Sequence, residues 1–346
     1  MREVDQKELR GDGKLRTISV EADCLAEATH KAIIACHDYG FRVETPKQKK
    51  WMTLGYDADI TAIIKNPDAE PKVYFPGMHD DGRGVMQYNL EVTHGIHNHW
   101  KKNPEHPEWW GYTYNERFND QIPFILQRIK HDWEEKGRIS GRDYQFGIWR
   151  ADEDVILEQE DPPCFQRGQF RFIENSDGEI VMNYSTDWRS RDLLKAWNSN
   201  NIPQIELMKL FAKKVSKMLD VPIKLGAYAD HSSSLHLYGL YVDRDNLEQQ
   251  IKQMKRDGWE AKSMSLDDYF QTGGKTAEQL KRFVYSQSIA EHMGFGLNQS
   301  EKTLTDIGID TNKFPYPAEW DTWPKSWDRE PVNGTLPGVA LPGILK

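Results

Sequence analysis

Asp161-Pro162-Pro163-Cys164-Phe165-Gln166-Arg167-Gly168-Gln169-Phe170-Arg171-Phe172 is the stretch on which the reading of this chain turns. A Pro-Pro pair has fixed φ angles and no N–H donors, so it makes a stiff turn. Beyond it, Phe170 and Phe172 alternate with other residues as in a half-buried strand. Cys164 thus sits between a rigid turn and the start of a strand, where a thiol is presented at the edge of a sheet. Taken alone, such a cysteine is more often a small buried hydrophobe. The same period of two recurs on either side, in Tyr144, Phe146 and Ile148 and in Ile180, Met182 and Tyr184. A sheet forms the middle of the chain.

Further out, Leu25, Ala28, Ala32, Cys36 and Tyr39 fall at helical spacing, with Gly40 to end the helix. That makes Cys36 a core residue and leaves Cys24 without a chemical role. Asp59 to Lys65 reads as a strand, residues 77–84 (GMHDDGRG) as a loop and residues 85–92 as a buried segment. Asp120 to Glu135 and Ile202 to Leu219 read as amphipathic helices, and Val221 to Ala229 and Leu235 to Val242 as two strands. Asp245 with Glu248, and Thr276 with Gln279, have the spacing of capping boxes. From Phe314 the composition shifts to Pro, Trp, Gly and Asp, which suggests an extended segment pinned by tryptophans to the body.

The 346 residues carry 29% charged and 38% hydrophobic side chains, an ordinary globular composition with enough apolar mass for one large core. A net charge of -9 argues against nucleic acid or an anionic membrane as partner, since both need a positive footprint. No run of about 18 apolar residues is present, and the first residues lack the apolar stretch of a secretory signal, so a cytoplasmic protein is expected. Three widely spaced cysteines make neither a disulfide framework nor a zinc-ligand set.

Three groups then occur in order: Pro162-Pro163-Cys164 with Gln169-Phe170; Arg189-Ser190-Arg191-Asp192 with Asn200; and His236-Leu237-Tyr238. The ordered set resembles the thymidylate synthase family, including its nucleotide hydroxymethylase branch. Tyr114-Asn115-Glu116-Arg117 and Ile148-Trp149 also look like family elements, so the resemblance spans residues 85–242. It implies an α+β fold, a mixed twisted sheet with helices on one face, that pairs through the other face as a homodimer. The catalytic domain would run over residues 15–300, between a polar tail (1–14) and a C-terminal extension (301–346).

The resemblance further implies folate-dependent transfer of one carbon to C5 of a deoxypyrimidine monophosphate, with 5,10-methylenetetrahydrofolate as co-substrate. C5 of a pyrimidine is a poor nucleophile until a thiolate adds at C6, and Cys164 would be that nucleophile. Arg189 and Ser190 would hold the phosphate, the arginine also lowering the thiol pKa. Asn200 would read the edge of uracil, with Asn201 as the register alternative, which makes dUMP the expected substrate. His236 and Tyr238 would meet the ribose 3'-hydroxyl, and Asp192 the folate pterin. Glu91 would organise water and move protons, supported by Tyr114. Arg142 corresponds to a phosphate arginine donated across the dimer interface. Lys47, Lys49 and Lys50 are nearby cations whose ordinary reading is solvated charge.

Several positions depart from the family pattern. Phe165 stands where a histidine is common, Asp143 where a second arginine is usual, and Ser233-Ser234 where Gly-Asp is expected. Thr93, His94 and Gly95 replace the aromatic wall of the folate site. The expected reaction is methylation of dUMP to dTMP, and these changes leave hydroxymethylation of dUMP or dCMP as the alternative, since the two share their early steps and differ in whether water reaches the exocyclic carbon. Outside this family, His94, His97, His99 and His106 raise a metallohydrolase, although His97 and His99 would share a strand face that His94 would not. A nucleotide-binding protein without catalysis is the remaining alternative.

Overall fold

The computed structural model describes residues 12–43, 54–100, 111–157, 161–292 and 322–331, with 305, 308, 310, 313 and 317. Lys47, Lys49, Lys50 and His106 lie outside the described residues, as do most of residues 301–346. In chain order the elements are β1 (Thr17–Ala22), α1 (Leu25–Tyr39), β2 (Phe41–Val43), β3 (Gly55–Ile64), β4 (Val73–Tyr74), α2 (Gly82–His94), α3 (Tyr114–Phe118) and α4 (Ile122–Lys136). There follow β5 (Gln145–Gly147), α5 (Ala151–Asp154), β6 (Phe165–Glu174), β7 (Ile180–Trp188), β8 (Arg191–Asp192) and α6 (Trp197–Leu219). The last are β9 (Ile223–Leu237), α7 (Gly239–Asp243), α8 (Leu247–Asp257), β10 (Ser263–Met264), α9 (Leu266–Gln271) and α10 (Ala277–His292).

The fold is α+β around a mixed sheet in the order β1-β3-β9-β7-β6-β5, with β2 added to β3 and β8 to β9. β1 runs parallel to β3 and β7 parallel to β9, while the other main pairs are antiparallel. Burial alternates along β3 from Tyr56 and along β7 from Val181, so one face of the sheet carries the core. Phe170, Tyr184 and Tyr228 stack across β6, β7 and β9, and Phe211 of α6 stacks on Phe170 with centroids 3.8 Å apart. The small residues Ala28, Ala32 and Cys36 let α1 lie close against the strands beside it. On the opposite face His231 sits between Asp59 and Asp187, and Arg167 pairs with Asp187.

Four local readings change. Residues 221–242 do not form two strands: β9 is continuous from Ile223 to Leu237, and Gly239–Asp243 is helical. α6 starts at Trp197, so Pro203 lies inside it and denies the Ser199 carbonyl its helical donor. The first turns persist because tertiary bonds hold them: Trp197 Nε1 donates to Asp230, and the Asn198 side chain bridges the Tyr74 N–H and the Lys72 carbonyl. The loop expected over 77–84 ends early, since Asp81 accepts the Gly84 N–H and opens α2 at Gly82. Asp245 caps nothing, for its carboxylate is taken by Arg244 and α8 begins after Asn246. The Thr276–Gln279 box does form, with reciprocal bonds of 2.9 and 3.3 Å.

In the C-terminal segment Trp327 is 2% exposed against Phe211, and its Nε1 donates to Asn119. Among the described residues no helix is long and apolar enough to cross a membrane.

Candidate active site

β6 and β7 pair Phe165 with Trp188, which brings Cys164 beside Arg189. Arg189 supplies donors to the carbonyls of this turn. Its backbone N–H donates to the Cys164 carbonyl at 2.8 Å, Nε to the Pro163 carbonyl at 3.0 Å and Nη2 to the Pro162 carbonyl at 2.6 Å. Gln166 adds a second bond to the Pro163 carbonyl. The thiol is half-buried, whereas Cys24 and Cys36 are buried and burial pushes both of their thiols up.

Aromatic hydroxyls gather around that thiol. Phe165 stacks on Trp188 at 4.5 Å, and the Tyr114 ring meets both edge-on at 5.7 Å. Tyr112 packs on Tyr114. Burial first, and then the charges of neighbouring groups that include Cys164, push the phenols of Tyr88, Tyr112 and Tyr114 up, and that of Tyr238 to about 12. Each stays a neutral O–H donor at physiological pH. Tyr88 lies three residues before Glu91 on α2, within the field of Glu91, Arg191 and Cys164 alike. Glu91 is 5% exposed, and burial pushes its carboxyl up to about 8.

Arg191, the variable residue of the Arg-Ser-x-Asp group, is buried with its guanidinium 4.1 Å above the Trp188 ring. It pairs with Asp230 and bonds Ser232 Oγ, while Nη1 has no partner among the described residues. Asp230 also accepts from Trp197 Nε1, Thr186 and Tyr228, so the start of α6 and the middle of β9 share one buried polar network. Sequence reading passed over Arg191, whose only signal was a third charge within Arg189–Asp192.

Sheet register places Asp57, His236 and Asp192 in a row across β3, β9 and β8. Asp192 Oδ1 accepts the N–H groups of Leu194 and Lys195, and Oδ2 accepts the Tyr241 hydroxyl. Burial holds His236 below its ordinary value, hence neutral, and its Nε2 has no partner among the described residues. Tyr238 lies just past the end of β9, yet its ring still meets His236 at 4.6 Å. Ser234 joins the His236 Nδ1 at 3.3 Å to Asp57 Oδ2 at 2.8 Å. A carboxylate thus stands beside the serines that replace Gly-Asp, supplied by β3, and burial pushes it up to about 6.

The other expected site residues divide. Asn201 is fully buried, donating to the Trp197 carbonyl and accepting the Tyr228 hydroxyl, so its amide is taken up by the core. Asn200 is half-buried in the first turn of α6, and among the described residues its side chain makes no hydrogen bond. Ser190 is half-buried in the turn between β7 and β8. Arg142 is exposed and does not join the rest within one chain. Its carbonyl accepts from Gln169, five residues along β6 from Cys164 or roughly 17 Å at the rise of a strand. His97 and His99 share no strand face: they follow α2 in the turn that leads through a single 3-10 turn. Among the described residues no three His, Cys, Asp or Glu side chains form a group able to hold a metal.

No family model matches the chain, and neither does any curated protein. Among solved structures, thermostable thymidylate synthase A from Bacillus subtilis is similar at a TM-score of 0.45 and 16% identity, over 66% of this chain and 84% of that one. The functional reading rests on the residues of the site itself.

Proposed function

We propose that this protein transfers a one-carbon unit from 5,10-methylenetetrahydrofolate to C5 of dUMP, forming dTMP through a covalent adduct of Cys164 at C6. The observation that carries the reading is the joining of Cys164 to Arg189, in which one arginine braces the turn that holds the thiol and raises the local positive potential. In this mechanism the Cys164 thiolate adds to C6, and the electron pair moves toward O4, leaving C5 nucleophilic. Neutral phenols at Tyr88 and Tyr114, with protonated Glu91, supply donors where negative charge develops on oxygen. Asn200 offers both a donor and an acceptor to the uracil edge. His236 and Tyr238 face the ribose, and Arg189, Ser190 and a partner subunit's copy of Arg142 hold the phosphate.

The folate supplies the electrophilic carbon and, for methylation, the hydride. Asp192 is the acceptor for donors on the pterin. In this reading the protein is a cytoplasmic homodimer in which the second phosphate arginine comes from the other subunit.

A hydroxymethylase is the second reading, favoured by one observation. Thr93 and His94 after Glu91 are polar and bonded to each other, and His97 is bonded to Glu91, so polar rather than aromatic side chains stand beside the proton-handling group. Incubation with dUMP and methylenetetrahydrofolate, followed by mass analysis, separates the two. dTMP with dihydrofolate is the expected outcome; hydroxymethyl-dUMP without dihydrofolate refutes the synthase reading.

A further inference from the structure

β9 carries one residue more than β3 where the two strands reach the site. Between the Ala58–Leu235 and Ile60–Ser232 pairs β3 has Asp59 alone, whereas β9 has Ser233 and Ser234, so the two serines form a bulge. Strict alternation would set His231 and His236, five residues apart, on opposite faces of β9. The bulge carries both to one face, His231 opposite Thr61 and His236 opposite Asp57. Ser234 bridges the second pair: its hydroxyl donates to Asp57 Oδ2 at 2.8 Å and meets His236 Nδ1 at 3.3 Å.

A serine hydroxyl has one proton, and an ionised carboxylate can only accept. The Ser234 proton is therefore spent on Asp57, and its oxygen can meet His236 only as the acceptor of an Nδ1–H. Burial keeps the ring neutral, against the smaller opposite pulls of Asp192 and of a backbone hydrogen bond to Ser234. A neutral imidazole with its hydrogen on Nδ1 has a bare lone pair at Nε2. That atom has no partner among the described residues, in a side chain only 6% exposed. A buried acceptor left unmatched is costly, so it marks a place for a donor from outside the chain. After burial, the charges acting on the adjoining Tyr238 include Asp192, Cys164 and Asp57, which sets the His236–Tyr238 pair in the same cleft as the thiol.

We propose that Asp57 and Ser234 fix His236 as the Nδ1–H tautomer and thereby make the ribose subsite select a nucleotide with a free 3'-hydroxyl. The assignment rests on the reading of His236 as the ribose contact. A 3'-hydroxyl donates its proton to Nε2. A 3'-deoxy sugar leaves that lone pair unmatched, and a 3'-phosphate brings acceptor oxygens and negative charge toward Nε2 and the carboxylates of Asp57 and Asp192. The other tautomer, with its hydrogen on Nε2, would take a phosphate oxygen as readily as a hydroxyl. Asp57 and Ser234 are positioning residues, since both act on the nucleotide through His236.

Nitrogen-15 NMR of His236 in the free protein reads the tautomer directly. At about pH 8 the Asp57 carboxyl, which burial pushes up to about 6, is ionised. The wild type should then carry its ring hydrogen on Nδ1. Asp57→Leu frees the Ser234 proton for Nδ1, and Ser234→Ala removes the acceptor, so each should move much of the population to Nε2–H. Ser234→Ala, a one-atom truncation, serves if Asp57→Leu fails to fold. A wild type with its hydrogen on Nε2, or a tautomer unchanged in the variants, overturns the proposal.

Calorimetric titration reads the selection. The wild type should bind dUMP about 100-fold or more tighter than 2',3'-dideoxyuridine monophosphate, and the ratio should fall about tenfold in the variants. A ratio that holds while both nucleotides weaken together leaves only a structural role and overturns the selection. If the wild type binds neither nucleotide, the proposed function fails, while the tautomer still decides what Asp57 and Ser234 do to His236.

Discussion

Arg189 is bonded to the turn that presents Cys164 through three donors, its backbone N–H to the Cys164 carbonyl and its side-chain fork to Pro162 and Pro163. The fork uses two donors of one rigid plane, a geometry that a lysine ammonium cannot copy. Arg189→Lys should slow alkylation of Cys164 at neutral pH severalfold and reduce kcat/KM by about 100-fold or more. Rates of iodoacetamide labelling, compared with those of wild type, check the first part. Cys164→Ser should bind dUMP and lose nearly all turnover, and substantial residual activity would sink the mechanism.

Asn200 and Asn201 are adjacent, but one is half-buried with a free amide and the other is bonded into the core. Asn200→Asp should move preference from dUMP toward dCMP, because a protonated carboxyl can donate to cytosine N3 while a carboxylate oxygen accepts from its amino group. Asn201→Ala should leave base preference unchanged and cost about 1–3 kcal/mol of stability from the buried partners it strands. Competition assays with the two nucleotides and denaturant melts would read the two effects separately.

Arg142 lies too far from Cys164 to serve it within one chain. If it serves the partner subunit's site, Arg142→Ala and Cys164→Ser homodimers are each inactive, yet mixed dimers hold one intact site. Mixing the two after dissociation should restore about a quarter of wild-type activity, the statistical share of intact sites in a two-fold assembly. No recovery in confirmed mixed dimers would exclude the cross-subunit role.

Asp57 has its carboxyl raised to about 6 by burial, so the folded protein binds that proton more tightly than the unfolded chain does. For a carboxyl shifted upward, stability is greatest below the ordinary carboxylate range and declines as pH rises through the window from about 4 to about 6. Asp57→Asn should therefore stabilise the protein by about 1–2 kcal/mol above pH 6 and change little near pH 4. Thermal melts across that window test the sign.

Trp327 joins the C-terminal segment to α4 and α6. Trp327→Ala should cost about 3 kcal/mol of stability and leave the reactivity of Cys164 unaltered. Calorimetry together with thiol labelling would show whether the segment is a brace or part of the site.

What the residues alone determined is local and periodic. The stiff turn before Cys164, the strands at Phe170 and Met182 and the helix from Asp120 follow from φ restriction and from apolar spacing of two or 3.6. The ordered groups at Cys164, Arg189 and His236 were legible for the same reason, since each is short and contiguous. The first turn of α6 was not legible, because Pro203 opposes it locally and only the bonds of Trp197 and Asn198 to distant strands sustain it. Asp57 and Tyr88 likewise carried no signal of their own, and Arg191 only that of a third charge in its group. Each gains its place from sheet register or helix docking, which brings residues far apart in the chain within hydrogen-bond range and sets their protonation through burial. The sequence thus determined which thiol is presented and by what turn, whereas tertiary packing alone decided which acids, phenols and imidazoles surround it.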